Sequence, residues 1–247
     1  MTATDPVSWS GEPAEFDDYA AEYKGGLDNP VKRLLGNSPD QFIAVKVRWL
    51  MRHEPMLETG GLAVLDYGCG VGSLMRVLAE TGARAEFTGC DISTGMLREV
   101  EKRWPAELGK APALAPQQGA QTPFADGRFD VVTVSAVLHH VPVAERSAVY
   151  GELGRVLKPG GRLYVFEHNR RNPLVRHVIA RTPIDRNAIL LDAAEVRHGL
   201  LDTARYDLDT DYLMFMPPRL AFLRPVDRML AWLPLGAQYV VAARKPV

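Results

Sequence analysis

The chain has 247 residues, 47% hydrophobic and 24% charged, with a net charge of −1, which is globular composition with enough length for a substantial core. The near-neutral balance argues against a general nucleic-acid binder, and no apolar run reaches the roughly 20 residues of a membrane span. Residues 1–15 are polar and acidic, unlike a secretory or transit peptide, and the two cysteines, Cys69 and Cys90, read as small buried spacers rather than a disulfide, so a reduced, cytoplasmic protein is expected.

Residues 1–58 carry helical patterns near 15–24 and 39–53 and read as an N-terminal helical cap over a binding site in the remainder, 59–247. From there strands and helices alternate. Residues 62–67 read as a buried strand and 72–81 as a helix. Residues 85–91 form a second strand, and 93–103 a helix entered through the cap-like Ser93. Residues 113–117 are a weak strand, demoted by prolines. Residues 129–134 are a strong β-branched strand. Residues 143–157 read as a helix with Pro142 near its start and Pro159-Gly160-Gly161 as its stop, and 162–167 as a strand. Prolines at 173, 183, 217, 218, 225 and 234 make 168–235 look irregular, as a substrate-pocket or lid insertion, before a closing strand at 238–244. The alternation implies an α/β, Rossmann-like, doubly wound and mostly parallel sheet with helices on both faces. Its binding crevice should lie at the carboxyl ends of the strands.

The most informative stretch is Val64-Leu65-Asp66-Tyr67-Gly68-Cys69-Gly70-Val71-Gly72. An apolar run ends in a carboxylate, and three spaced glycines then leave backbone bare for a ligand at the start of a helix. Nineteen residues after Gly72, a second apolar segment closes on Asp91, the position of a ribose-binding acid. The glycine spacing is not the Gly-x-Gly-x-x-Gly of a dinucleotide site. No basic residue stands in the turn, and Asp66 suits a cationic ligand better than a pyrophosphate.

These residues resemble the first two motifs of class I S-adenosylmethionine-dependent methyltransferases. Phe124–Asp130 and Ser135–Val141 are similar to the family's fourth-strand region, and Leu153–Gly161 to its helix and turn before the fifth strand. The resemblance implies a seven-stranded sheet and S-adenosylmethionine as cofactor. It makes Asp66, Gly68, Cys69, Gly70 and Gly72 the methionine side of the site. Asp91 would take the ribose hydroxyls, and Ile92 and Met96 would pack on the adenine. The family's adenine-binding acid, counted back from Pro123, falls on Gln118, with Gly119 supplying a backbone N–H and Ala120 and Gln121 as the next positions in register. Ser135 would face the methionine end. Tyr19 and Tyr23, on the first helix, would seal the cofactor and reach the acceptor.

The acceptor's proton needs a base, and imidazole titrates near neutrality. His139, His140 and Glu167 are the candidates, and the family's commoner histidine position favours His140. His168 and Arg171 are candidates for binding the acceptor, because the basic run around 168–186 would suit an acidic group. Residues 212–235, with Met214, Phe215, Met216, Phe222 and Trp232, read as core, a homodimer contact or an apolar pocket wall. The partner expected is a small-molecule methyl acceptor of biosynthetic or secondary metabolism, with no nucleic acid and no metal. An RNA or protein methyltransferase, and a binding module without catalysis, are the alternatives.

Overall fold

The computed structural model describes Asp17 and residues 39–185, 187–217 and 220–247. Tyr19, Tyr23 and the rest of the first expected helix lie outside those residues, as does Arg186. The second expected helix is present as α1 (Pro39–His53), followed by the short α2 (Met56–Thr59). Next come β1 (Leu62–Tyr67), α3 (Ser73–Glu80), β2 (Ala85–Asp91), α4 (Thr94–Arg103) and β3 (Ala113–Pro116). After these lie β4 (Phe129–Ser135), α5 (Arg146–Val156), β5 (Leu157–His168) and α6 (Pro173–Ile179). The chain closes through α7 (Ala193–Thr203), β6 (Asp207–Leu213), α8 (Arg224–Met229) and β7 (Gln238–Arg244).

The seven strands form one sheet in the order β3-β2-β1-β4-β5-β7-β6. Pairs from β3 to β5 are parallel, and β7 runs antiparallel to both β5 and β6. The strand order reverses between β1 and β4, which opens a crevice at their carboxyl ends.

Alternation along the strands divides the core. Leu65, Tyr67, Val132, Val134, Leu163, Val165, Tyr239 and Val241 pack with α5 and α7 on one face. Val64, Val131, Tyr164, Phe166 and Val240 pack with α1 and α3 on the other. Ser93 caps α4 as expected, its side chain accepting from Met96 N.

Two stretches differ from the sequence reading. The helix at α5 stops at Val156, and β5 begins at once, running through Pro159-Gly160-Gly161 with a register shift against β4 between Phe129 and Val131. Residues 168–235 are not irregular throughout. They contain α7, opened by a capping box between Asp192 and Glu195, and β6, the edge strand of the sheet. Both cysteines are buried and free. Among the described residues no helix is long and apolar enough to cross a membrane.

Candidate functional site

The crevice holds a cavity of about 280 Å³ on both sides of the β1/β4 switch point. On the β1–β2 side the glycine turn is tied to β2. Cys69 N donates to Cys90 O at 2.9 Å, and Gly70 N donates to Asp91 Oδ2 at 2.8 Å. The other Asp91 oxygen accepts from Ser93 N at 2.9 Å. Asp17 adds a cap to the same helix start, bonding Ser93 Oγ and accepting from Gly95 N at 3.0 Å.

Gly68 and Gly70 both have positive φ (+68° and +53°). A Cβ at Gly68 would lie 2.6 Å from Val137 Cγ2, whereas one at Gly70 would meet nothing within 4 Å, so the space over Gly70 is open where it lines the cavity. Asp66 is buried and accepts from Thr133 Oγ1 at 2.9 Å. Burial pushes its pKa up to about 7, and burial likewise raises that of Asp91. Two carboxylates held out of water beside bare backbone call for a ligand that carries a cation and hydroxyl donors.

Gly119, Ile92 and Met96 also line the cavity, but Gln118 does not. Gln118 is exposed and bridges to Gln121, while Gln117, one residue earlier, is the buried lining residue. Gln117 comes directly off the end of β3, with its N bonded to Asp91 O at 3.0 Å. Gln117 Nε2 donates to Gly119 O, and its Oε1 is buried without a hydrogen-bond partner among the described residues.

On the β4–β5 side, Ser135 ends β4, lines the cavity and accepts from Lys46 Nζ of α1 at 2.9 Å. Ala136 follows with φ of 61°, a conformation costly for a residue with a Cβ, and its N donates to Phe166 O at 2.8 Å. That bend throws the next residues over the end of β5. There Glu167, only 1% exposed, organises them. Its Oε1 accepts from Val137 N and Leu138 N, and its Oε2 pairs with His139 Nδ1 at 2.6 Å.

The other ring nitrogen, His139 Nε2, lies 3.6 Å from Asp185, and His140 Nε2 lies 3.5 Å from the same Oδ1. His168 packs beside them, its ring centroid 5.3 Å from that of His139. Burial opposes charge on His139, but Glu167 and Asp185 outweigh it and raise its pKa to about 9. Burial also opposes the charge on Glu167, yet His139 pulls its pKa down to about 2. The segment bearing Asp185 is strapped in place. Ile189 N donates to His139 O at 2.7 Å, and Arg146 bonds both Val141 O and Ile189 O.

The cavity thus gathers Asp66, Gly68, Cys69, Gly70, Asp91, Ile92, Met96, Gly119, Ser135, His139, His140 and His168. Four expected residues stand apart. Gly72 starts α3, and a Cβ there would meet Val100 of α4 at 2.9 Å, so its smallness serves helix packing. Glu167 is spent on the loop beneath the cavity. Arg171 pairs with Asp192 at 3.1 Å, because α7 brings that acid to it. Gln118 is exposed and does not line the cavity, which Gln117 does. Sequence reasoning missed Lys46, whose signal was a lone lysine among Ala44, Val45 and Val47; the structure buries it to 4% exposure. Asp185 lies within the basic run around 168–186, where nothing local marks it as a site residue.

Residues 65–165 match the family profile described as "Methyltransferase domain". The chain is 41% identical over 107 residues to a demethylmenaquinone methyltransferase from Beutenbergia cavernae, covering 43% of this chain and 41% of that one. It is 30% identical over 176 residues to a ubiquinone biosynthesis O-methyltransferase from Xanthomonas oryzae pv. oryzae, covering 68% and 66%. The matches to the demethylmenaquinone methyltransferases of Beutenbergia cavernae and Parafrankia thus span less than half of those relatives' length.

Among solved structures, magnesium protoporphyrin IX methyltransferase from Synechocystis with bound S-adenosylhomocysteine superposes with a TM-score of 0.61 at 25% identity, over 93% of this chain and 94% of that one. Phosphoethanolamine N-methyltransferase 2 from Haemonchus contortus, in complex with S-adenosylmethionine, gives 0.62 at 19% identity over 94% and 57%. Strand order, glycine turn and these matches together make residues 65–165 the core of a class I S-adenosylmethionine-dependent methyltransferase domain.

Proposed function

We propose that the protein transfers a methyl group from S-adenosylmethionine to a small, hydroxylated aromatic acceptor of the kind met in quinone biosynthesis. One observation carries this reading. A single cavity joins bare glycine backbone and two buried carboxylates on one side of the switch point to a histidine–carboxylate cluster on the other. The quinone-directed names of the similar proteins support the acceptor class, as do Val141, Pro142, Val149 and Ile184, which give the cavity an apolar wall.

Asp66 would take the methionine ammonium and Asp91 the ribose hydroxyls. The unpartnered Gln117 Oε1 would accept from the adenine amino group. When bound, the cofactor supplies an electrophilic methyl on a sulfonium. The protein's main task is then to hold the acceptor in line with that methyl, an alignment worth up to about 7–11 kcal/mol. His140, lining the cavity with Asp185 at 3.5 Å, would receive the acceptor's phenolic proton, which activates either the oxygen or the ring carbon beside it. Lys46 on Ser135 would keep that hydroxyl oriented.

The test is a labelled-methyl assay with a panel of hydroquinones and catechols. His140→Gln should lower kcat roughly 10²–10⁴-fold with little change in S-adenosylhomocysteine affinity. A kcat within twofold of wild type would remove His140 from the chemistry. A panel of phenols and quinols that takes up no label would remove the acceptor class.

A further inference from the structure

The sequence suggested no metal site, yet His139, His140 and Asp185 present ligand atoms that all lie within 4.8 Å of one another at the cavity wall. We infer that these three residues form a divalent transition-metal site of the zinc class, with its open position facing the acceptor. The proposal rests on the acceptor reading above and deepens it.

Three features carry it. The first is spacing. A tetrahedral zinc with bonds of about 2.0–2.1 Å holds neighbouring ligand atoms about 3.4 Å apart. Asp185 Oδ1 stands 3.6 Å from His139 Nε2 and 3.5 Å from His140 Nε2, close to that spacing, and the ligand atoms of the two histidines lie within 4.8 Å of each other. The second is His139 itself. Its ring is 1% exposed, and its Nε2 faces Asp185 Oδ1 at 3.6 Å, an ion pair too long for a direct hydrogen bond. The third is Glu167. Metal-binding imidazoles as a rule give their second N–H to a carboxylate, which fixes the ring and raises its basicity, and Glu167 takes that position on His139 Nδ1 at 2.6 Å.

Two histidines and one carboxylate leave at least one coordination position for an oxygen of the acceptor. A hydroxyl bound there would ionise near neutral pH, its proton passing to solvent. His140 would then serve as a ligand in the metal-loaded protein and as the base only without metal.

The test uses tag-free protein stripped with chelator and titrated with Zn²⁺ by calorimetry and with Co²⁺ by visible absorption. One equivalent should bind per chain, with cobalt bands typical of four- or five-coordinate nitrogen–oxygen ligation. Asp185→Asn and His140→Ala should each weaken binding at least tenfold. Glu167→Gln should weaken it about 10–100-fold without removing a ligand. Thermal melts and S-adenosylhomocysteine titration of the same variants report folding and cofactor binding independently of the metal. Failure of the methyltransferase reading would therefore show separately. Wild-type protein that takes up neither ion at 100 µM, or binding that keeps its strength in both ligand variants, would overturn the site and leave the cluster an ion-pair network.

Discussion

Asp66 and Asp91 are both buried carboxylates at the glycine turn, but their surroundings give them different tasks. Asp91 already accepts two backbone N–H groups and keeps lone pairs for hydroxyl donors. Asp91→Ala removes the ribose contacts and loosens the turn. S-adenosylhomocysteine affinity should fall about 100-fold, at roughly 1.5 kcal/mol for each hydrogen bond to a charged group. Unchanged calorimetric affinity would refute the role.

Asp66 has one hydroxyl partner in Thr133, and its burial sets its pKa at about 7. A cationic ligand group favours the ionised form, so binding lowers that pKa and releases a proton wherever free Asp66 is protonated. Affinity should therefore rise with pH up to about 7 and level off above it. Calorimetry in buffers of different ionisation enthalpy at pH 6 should show proton release. An affinity flat between about pH 5.5 and 8.5 would contradict the assignment.

At the scale of elements, the loop after β4 depends on β5 through one side chain. Glu167 holds two backbone N–H groups and His139, and its removal leaves all three unpaired in a buried setting. Glu167→Ala should cost about 3 kcal/mol in urea denaturation, the scale for breaking a buried charge pair. A loss below about 0.5 kcal/mol would mean that the loop is held elsewhere.

Most strands were legible because β1, β2 and β4 are apolar runs ending at turn residues, and α4 between β2 and β3 opens on the Ser93 cap. α7 and β6 escaped notice because the surrounding prolines suggested disorder of pattern. Yet Asp192-Ala193-Ala194-Glu195 is a capping-box signature, and Asp207, Asp209 and Asp211 alternate with Leu208, Thr210 and Tyr212 as an edge strand should. The glycine turn and Asp91 were legible because their spacing is local. Lys46 reaches Ser135 from α1, Asp185 reaches the cavity from the chain beyond α6, and no local spacing records such long-range placement. Gln117 needed the exact end of β3, and strand ends are the least legible feature of a sequence.

At the scale of the whole molecule, the sheet separates two jobs. Strands β1 to β3 present the glycine turn, Asp91 and Gln117, while β4 and β5 present Ser135 and the histidine loop. The reversal of strand order leaves the cavity between them open. α5 and α7 cover one face, and α1 and α3 the other. Through Lys46, α1 also reaches the site, so the core and the cavity share an element. The central claim is that this cavity clasps an adenosyl amino acid. Titrating the protein with S-adenosylhomocysteine in a calorimeter tests it most directly. One molecule should bind per chain with a Kd of roughly 1–100 µM and raise the melting temperature in step with occupancy. No heat and no thermal shift at millimolar ligand would contradict the claim.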